Sequence, residues 1–309
     1  MRTISIAGIS TPLSRLCLGT GSFGSAIPAA QSMALLDAYA GAGGTFLDTA
    51  HVYAAWLPNG TGASERTIGA WIKDRGMERS MAVATKGGHP QLSTPDIGRL
   101  RPEDLLHDLG ESLERLQLPR VDLYWLHRDD PSVPVAEILA VLADLQRAGR
   151  IRAAGASNWS TARLAEAAAV AAQRQWPGFV ASQIGWSLAA PVVARIPPGG
   201  MLFMDAATER WHRACGMPVH AYSSQANGYF TKDVPPALYD APANRDRKRQ
   251  AEHLAQRHGT TANAIALSWL LDHPCAGAAI VGPRTRAQLL DSIAAERIRL
   301  VAAEWSSLS

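Results

Sequence analysis

Cysteine is scarce in this chain: Cys17, Cys215 and Cys275 are the only three in 309 residues, odd in number and far apart. No Cys-x-x-Cys pair is present for a metal or a redox couple, so a disulfide framework is excluded and a reduced, cytoplasmic protein is expected. No run of about 18 apolar residues occurs. The N-terminal MRTISIAGISTPLSRL has no charged segment leading into an apolar stretch, so neither secretion nor membrane insertion is expected. An excess of one charge is missing too. The net charge is +3, and the densest basic run, RDRKR at 245–249, is broken by Asp246, which makes nucleic acid an unexpected partner. No metal site is expected. Low-complexity linkers and internal repeats are absent, and no heptad or exposed apolar stripe argues for a particular oligomer.

What is present is enough apolar content, 47% against 18% charged, to bury a large core as one barrel or as two ordinary domains. Short runs rich in apolar and β-branched residues recur: LCLGT (16–20), GTFLDT (44–49), MAVATK (81–86), VDLYWLH (121–127), IRAAGAS (151–157), FVASQI (179–184), PVHAYSS (218–224) and AAIVG (278–282). Between them lie helical patterns at 29–43, at 102–116 opening on Pro-Glu-Asp, and at 135–148 ending before Gly149. The longest gap holds a Pro-rich loop with Pro235, Pro236 and Pro242, expected to act as a lid, then a helical part at about 244–271. Eight strands alternating with helices predict an α/β fold, a (β/α)8 TIM barrel formed as one domain over 1–309, with a small N-terminal hairpin at 3–15.

Asp48, Tyr53, Lys86 and His127 fall at or just beyond the C-terminal ends of three successive runs. In a parallel barrel such ends converge on one mouth. A phenol, with a pKa near 10, handles protons at neutral pH only when a cation stabilises its anion. Lys86 would supply that cation, Asp48 would hold the ammonium in place, and His127 would orient a carbonyl oxygen toward Tyr53. Singly, an Asp after a strand caps a helix and a lone Lys is solvated. Together the four suit protonation of a carbonyl oxygen while hydride is delivered to its carbon.

With these motifs the chain resembles the aldo-keto reductase superfamily over nearly its whole length. DTAHVY (48–53) is similar to that family's Asp motif with its catalytic Tyr, ATKGG (84–88) to its Lys segment and DLYWLHRDDP (122–131) to its His segment. GRIRAAGASNWS (149–160), SQIGW (182–186), AYSSQANGYFTK (221–232) and AAIVGPRTRAQLLDSIAA (278–295) follow its cofactor segments in order. The resemblance implies a reductase that takes NADPH across the barrel mouth without a Rossmann domain. It implies that Gly19, Thr20 and Gly21, with Gly24, form a tight loop near the nicotinamide; the spacing Gly-x-Gly-x-x-Gly alone is a weak phosphate signal. Ser157, Asn158 and Gln183 would bond the carboxamide, and Trp186 would stack where many relatives carry Tyr. Ser223 and Gly228 would follow the pyrophosphate, with Ser-Ser-Gln replacing the commoner Ser-Pro-Leu, and Gly282 would also meet the cofactor. Arg284 and Gln288 would meet the 2′-phosphate and ribose, and Asp291 and Ser292 the adenine, in place of the commoner Glu and Asn.

Nine tryptophans are many for this length. Trp56, Trp125, Trp159 and Trp211, with Arg128, Asp129 and Asn59, would form flat walls and polar groups for a hydroxylated ring. The expected substrate is therefore a small carbonyl compound such as a sugar, keto-sugar or glycoside-like molecule, with aromatic aldehydes as surrogates. Other classes stay open: a cofactor-binding regulatory subunit without turnover, like the barrel subunits of membrane channels, a Schiff-base aldolase using Lys86, or a metal hydrolase using Asp48 and His127.

Overall fold

A computed structural model describes residues 1–308. Ten strands and ten helices lie among them: β1 (Thr3–Ile4), β2 (Leu13–Ser14), β3 (Leu16–Gly19), α1 (Ala29–Gly41), β4 (Phe46–Asp48), α2 (Ala63–Arg75), β5 (Ala82–Gly87), α3 (Pro102–Leu116), β6 (Val121–Leu126), α4 (Val135–Arg147), β7 (Ile151–Ser157), α5 (Thr161–Arg174), β8 (Phe179–Gly185), α6 (Ala206–Cys215), β9 (Val219–Tyr222), α7 (Pro242–His258), α8 (Ala262–Leu271), β10 (Ala276–Val281), α9 (Arg286–Ala294) and α10 (Ala302–Leu308). Strands β3 to β10 pair in parallel and close into a barrel, β10 against β3, while β1 and β2 make the antiparallel hairpin. The expected (β/α)8 barrel with an N-terminal hairpin is thus the fold. Among the described residues no helix is long and apolar enough to cross a membrane.

Local chemistry sets the helix ends. α3 begins with Pro102 at its first position and Glu103 and Asp104 in the first turn, and ends with Arg115 in the last, each matching the helix dipole. Ser160 caps α5 by accepting the Arg163 N–H at 3.2 Å. The expected helical part near 244–271 is two helices, because Gly259 in the left-handed region ends α7.

Strand alternation divides the core. Outward residues such as Leu47, Val83, Tyr124 and Leu126 pack beneath the helices. Inward residues fill the barrel: Cys17, Phe46, Ala84, Leu123, Trp125, Ala153, Ala181 and Ala278. Trp125 has its space because position 155 is glycine; a Cβ there would collide with the indole ring. Above this packed floor, the strand ends carry the polar residues.

Candidate active site

Lys86 on β5 faces inward and is fully buried. Its ammonium bonds the Asp48 carboxylate from β4, the Thr49 carbonyl at 2.7 Å and the Tyr53 hydroxyl at 3.0 Å. Gln183 from β8 donates to the other Asp48 oxygen at 3.0 Å. Tyr53 sits on the loop after β4, which stays in register because the Thr49 and His51 N–H groups continue the ladder onto Ala84 and Lys86 carbonyls. His127 follows β6, its ring 5.9 Å from the Tyr53 ring and its Nδ1 without a partner. The four expected residues therefore meet at one mouth.

Charge follows from burial. Desolvation alone would lower the Lys86 pKa, but Asp48 and Tyr53 together raise it, so the ammonium stays charged. Burial raises Asp48 against the pull of Lys86. Burial also raises the Tyr53 phenol, and Asp48 adds to this while Lys86 opposes it, so Tyr53 is a protonated phenol through the neutral range. Lys86 does pull the phenol down, but burial outweighs that pull. His127 is held well below the usual histidine range by burial and then by Lys86, and is neutral.

A cleft of about 730 Å³ is lined by Gly19, Gly21, Ser223, Gly228, Gly282, Arg284, Gln288 and Asp291. Eight of the fourteen residues expected to meet the cofactor thus line one space. The Gly21 wall adjoins the catalytic candidates: a Cβ there would sit 3.6 Å from the Tyr53 ring. Arg284 and Lys232, which also line it, have no acidic partner among the described residues. The size lies within the roughly 300–1,000 Å³ usual for ligand sites, and the glycine wall beside Tyr53 and the two unpaired cations suit an anionic dinucleotide. Asp291 lines it with both carboxylate oxygens bonded, to Thr261 and Asn263.

Six of the fourteen are placed differently. Thr20 is fully buried and braces β4, donating to the Asp48 carbonyl at 2.9 Å. Ser157 donates to the Gln183 carbonyl, and Gln183 is bonded to Asp48. Asn158 uses all four of its hydrogen-bonding positions within the protein: it donates to the His127 carbonyl and Ser157 Oγ and accepts from the Leu202 N–H and the Tyr222 hydroxyl. Ser292 is buried behind the cleft wall and holds Gln225 at 3.0 Å. Trp186 does not face the mouth. Gln183 points inward, so Trp186, three residues on, points outward, its ring 4.5 Å from His273.

The tryptophans are corrected more strongly. Trp56 stands at the mouth, 57% exposed, its ring 6.5 Å from that of Tyr53. Trp125 faces inward like His127 but one layer deeper, inside the core. Trp159 is buried between Phe179 and the Arg163 guanidinium, and Trp211 on α6 packs beside His212 against the helix layer. Arg128 does reach the mouth, but Asp129 turns to Arg163. Sequence reading missed His89, with its ring 4.9 Å from that of His127, and Tyr222 and Phe203, which meet over Gly185. It also missed Glu65, buried on α2 and bonded to Thr85 at 2.6 Å and to Arg115 at 3.3 Å; an acid on the apolar stripe of a helix was the available signal. Among the described residues no group of three or more His, Cys, Asp or Glu is placed to hold a metal ion.

The model of the Aldo/keto reductase family matches residues 15–309. The chain is 30% identical over 308 residues to "Uncharacterized oxidoreductase YrpG" of Bacillus subtilis (strain 168), covering 93% of this chain and 89% of that one. It is 28% identical over 260 residues to "Aldo-keto reductase yakc [NADP(+)]" of Schizosaccharomyces pombe, covering 78% and 70%. It is also 27% identical over 263 residues to a "Putative voltage-gated potassium channel subunit beta" of the same yeast, covering 80% and 74%. With a closed parallel barrel, four polar strand ends at its mouth and a family match over nearly its full length, this chain belongs to the aldo/keto reductase family.

Proposed function

We propose that the protein reduces an aldehyde or ketone with NADPH, Tyr53 giving its proton to the carbonyl oxygen. The observation that carries this reading is the 3.0 Å hydrogen bond from the Lys86 ammonium to the Tyr53 hydroxyl, with Asp48 behind it. Bound in the cleft, NADPH would supply the hydride that the carbonyl carbon takes up. The protein's part is the proton and its geometry: Tyr53 is protonated at neutral pH, and Lys86 stabilises the phenolate that forms when the proton leaves. Neutral His127 can give one N–H to the carbonyl oxygen without adding charge, and so aims it at Tyr53. In the reverse direction the same phenolate would accept a proton from an alcohol.

Gly19, Gly21, Ser223, Gly228, Gly282, Arg284 and Gln288 would hold the cofactor along the cleft, with Arg284 and Lys232 meeting its phosphates. The relative named for NADP(+) supports that choice. Asn158 would reach a carboxamide only by exchanging partners. Of the tryptophans, Trp56 is the one left to flank the substrate, so a sugar-like or aromatic carbonyl compound rests on that indole and on Arg128.

The relative named as a channel subunit supports a second reading, a cofactor-binding module without turnover. The assembled Lys86–Tyr53 contact weighs against it. A Schiff-base aldolase is disfavoured because Lys86 is charged and engaged by Asp48. The test is to mix the protein with NADPH and a panel of aldehydes. Alcohol formed in step with NADPH consumed supports the reductase; tight binding with no alcohol from any aldehyde favours the module.

A further inference from the structure

We propose that the substrate carries a carboxylate and that Arg128 receives it at the barrel mouth, an inference that rests on the reductase reading above. Arg128 directly follows His127. Its Nε donates to the Gly199 carbonyl at 2.9 Å and one Nη1 hydrogen to the His127 carbonyl at 3.0 Å. These two bonds fix the guanidinium plane. The remaining Nη1 hydrogen and both Nη2 hydrogens have no partner among the described residues.

No carboxylate neutralises this cation. Asp129 pairs with Arg163 at 3.3 Å, Asp130 accepts from Ser132 at 2.6 Å, Asp48 is held by Lys86, and Asp108 is taken by Arg99 at 2.8 Å. The groups that do feel Arg128 are Tyr53, Tyr222, His89 and His127, all neutral at neutral pH. With Lys86 and Asp48 cancelling, the mouth carries one uncompensated positive charge, and it is half-buried.

A half-buried guanidinium with a free edge is a poor solvation state and a good receptor. Two parallel N–H groups match the two oxygens of a carboxylate, in geometry and in charge. A sugar hydroxyl would fill one hydrogen bond but leave the charge unmet. A phosphate dianion would want a second cation, and Lys86 is committed to Asp48 and Tyr53. Because the guanidinium is tied to the carbonyl of His127 itself, the carboxylate would lie beside the reacting carbonyl. Oxo-acids, aldehyde acids and acidic sugars meet that description, and the exposed face of Trp56 remains for the carbon skeleton.

The test compares p-carboxybenzaldehyde with its methyl ester, which keeps the ring and the aldehyde and removes the charge. The expected ratio of kcat/KM, acid over ester, is above about tenfold in the wild type, carried mainly by KM, and falls toward one in Arg128→Gln. Equal values in the wild type, or an unchanged ratio in Arg128→Gln, overturn the inference. Should neither aldehyde be reduced, the reductase reading fails, and binding still decides this one. Tryptophan fluorescence titrated with benzoate and with benzamide in the wild type is expected to show tighter benzoate binding, and equal affinities contradict it.

Discussion

The Lys86 ammonium lies 3.0 Å from the Tyr53 hydroxyl and 4.6 Å from the centroid of the same ring, held there by Asp48 and the Thr49 carbonyl. Lys86→Met would remove both the charge beside the phenol and the partner of a fully buried carboxylate. It is expected to cost roughly 3–5 kcal/mol of stability, since breaking a buried pair strands the remaining charge. The check is denaturant unfolding of the two proteins, alongside loss of aldehyde reduction in the folded variant.

The pH dependence of reduction follows from Tyr53. Its pKa is raised, so the proton to be donated stays in place until the pH passes about 10. The rate of the chemical step should be flat through the neutral range and fall only on the alkaline side. Single-turnover rates measured from neutral to alkaline pH test this; a fall beginning near neutrality would show that another group controls the proton.

Stability on the acid side should depend on His220. This residue is buried inside the barrel between Phe46 and Trp125, with neither ring nitrogen bonded, and burial pushes its pKa down to about 3. A depressed pKa gives stability that is complete above the unfolded value of about 6.5 and is lost as the pH falls toward the folded value. Through this group, each unit of pH in that window should remove up to about 1.4 kcal/mol. His220→Leu should flatten the decline. Unfolding of both proteins at a series of pH values below about 6.5 tests the sign.

Position 155 tests the packing of the barrel. A methyl group at Gly155 would enter the volume of the Trp125 ring, where the floor beneath the site is closely filled. Gly155→Ala should lose roughly 1–3 kcal/mol as the indole is displaced. A variant as stable as the wild type would mean that the ring has other room.

Cofactor choice should follow Arg284, which lines the cleft without an acidic partner. Arg284→Ala is expected to weaken NADPH binding about tenfold, equivalent to about 1.4 kcal/mol, and to leave NADH little changed. Fluorescence titration with each nucleotide measures the difference.

Much of this was legible in the sequence, for identifiable reasons. The barrel followed from eight apolar runs, each within two residues of an observed strand end, because strand and helix periods differ and glycines punctuate them. Asp48, Lys86 and His127 could be placed because they lie within one residue of strand ends on inward positions. Trp186 and Trp125 could not, because which face a residue takes depends on strand register and depth in the barrel, and a one-residue shift reverses it. The occupation of Asn158 by Leu202 and Tyr222 lay further out of reach, since it depends on a loop folding back onto the end of β8. His89 shows the same limit: its contact with His127 joins two loops that follow neighbouring strands.

The most direct measurement is single-turnover reduction of an aldehyde by Tyr53→Phe, loaded with NADPH, beside the wild type. The account predicts a rate lower by roughly a hundred- to ten-thousandfold, with NADPH affinity retained because the cleft is intact. Undiminished turnover in that variant would contradict Tyr53 as the proton donor and remove the central claim.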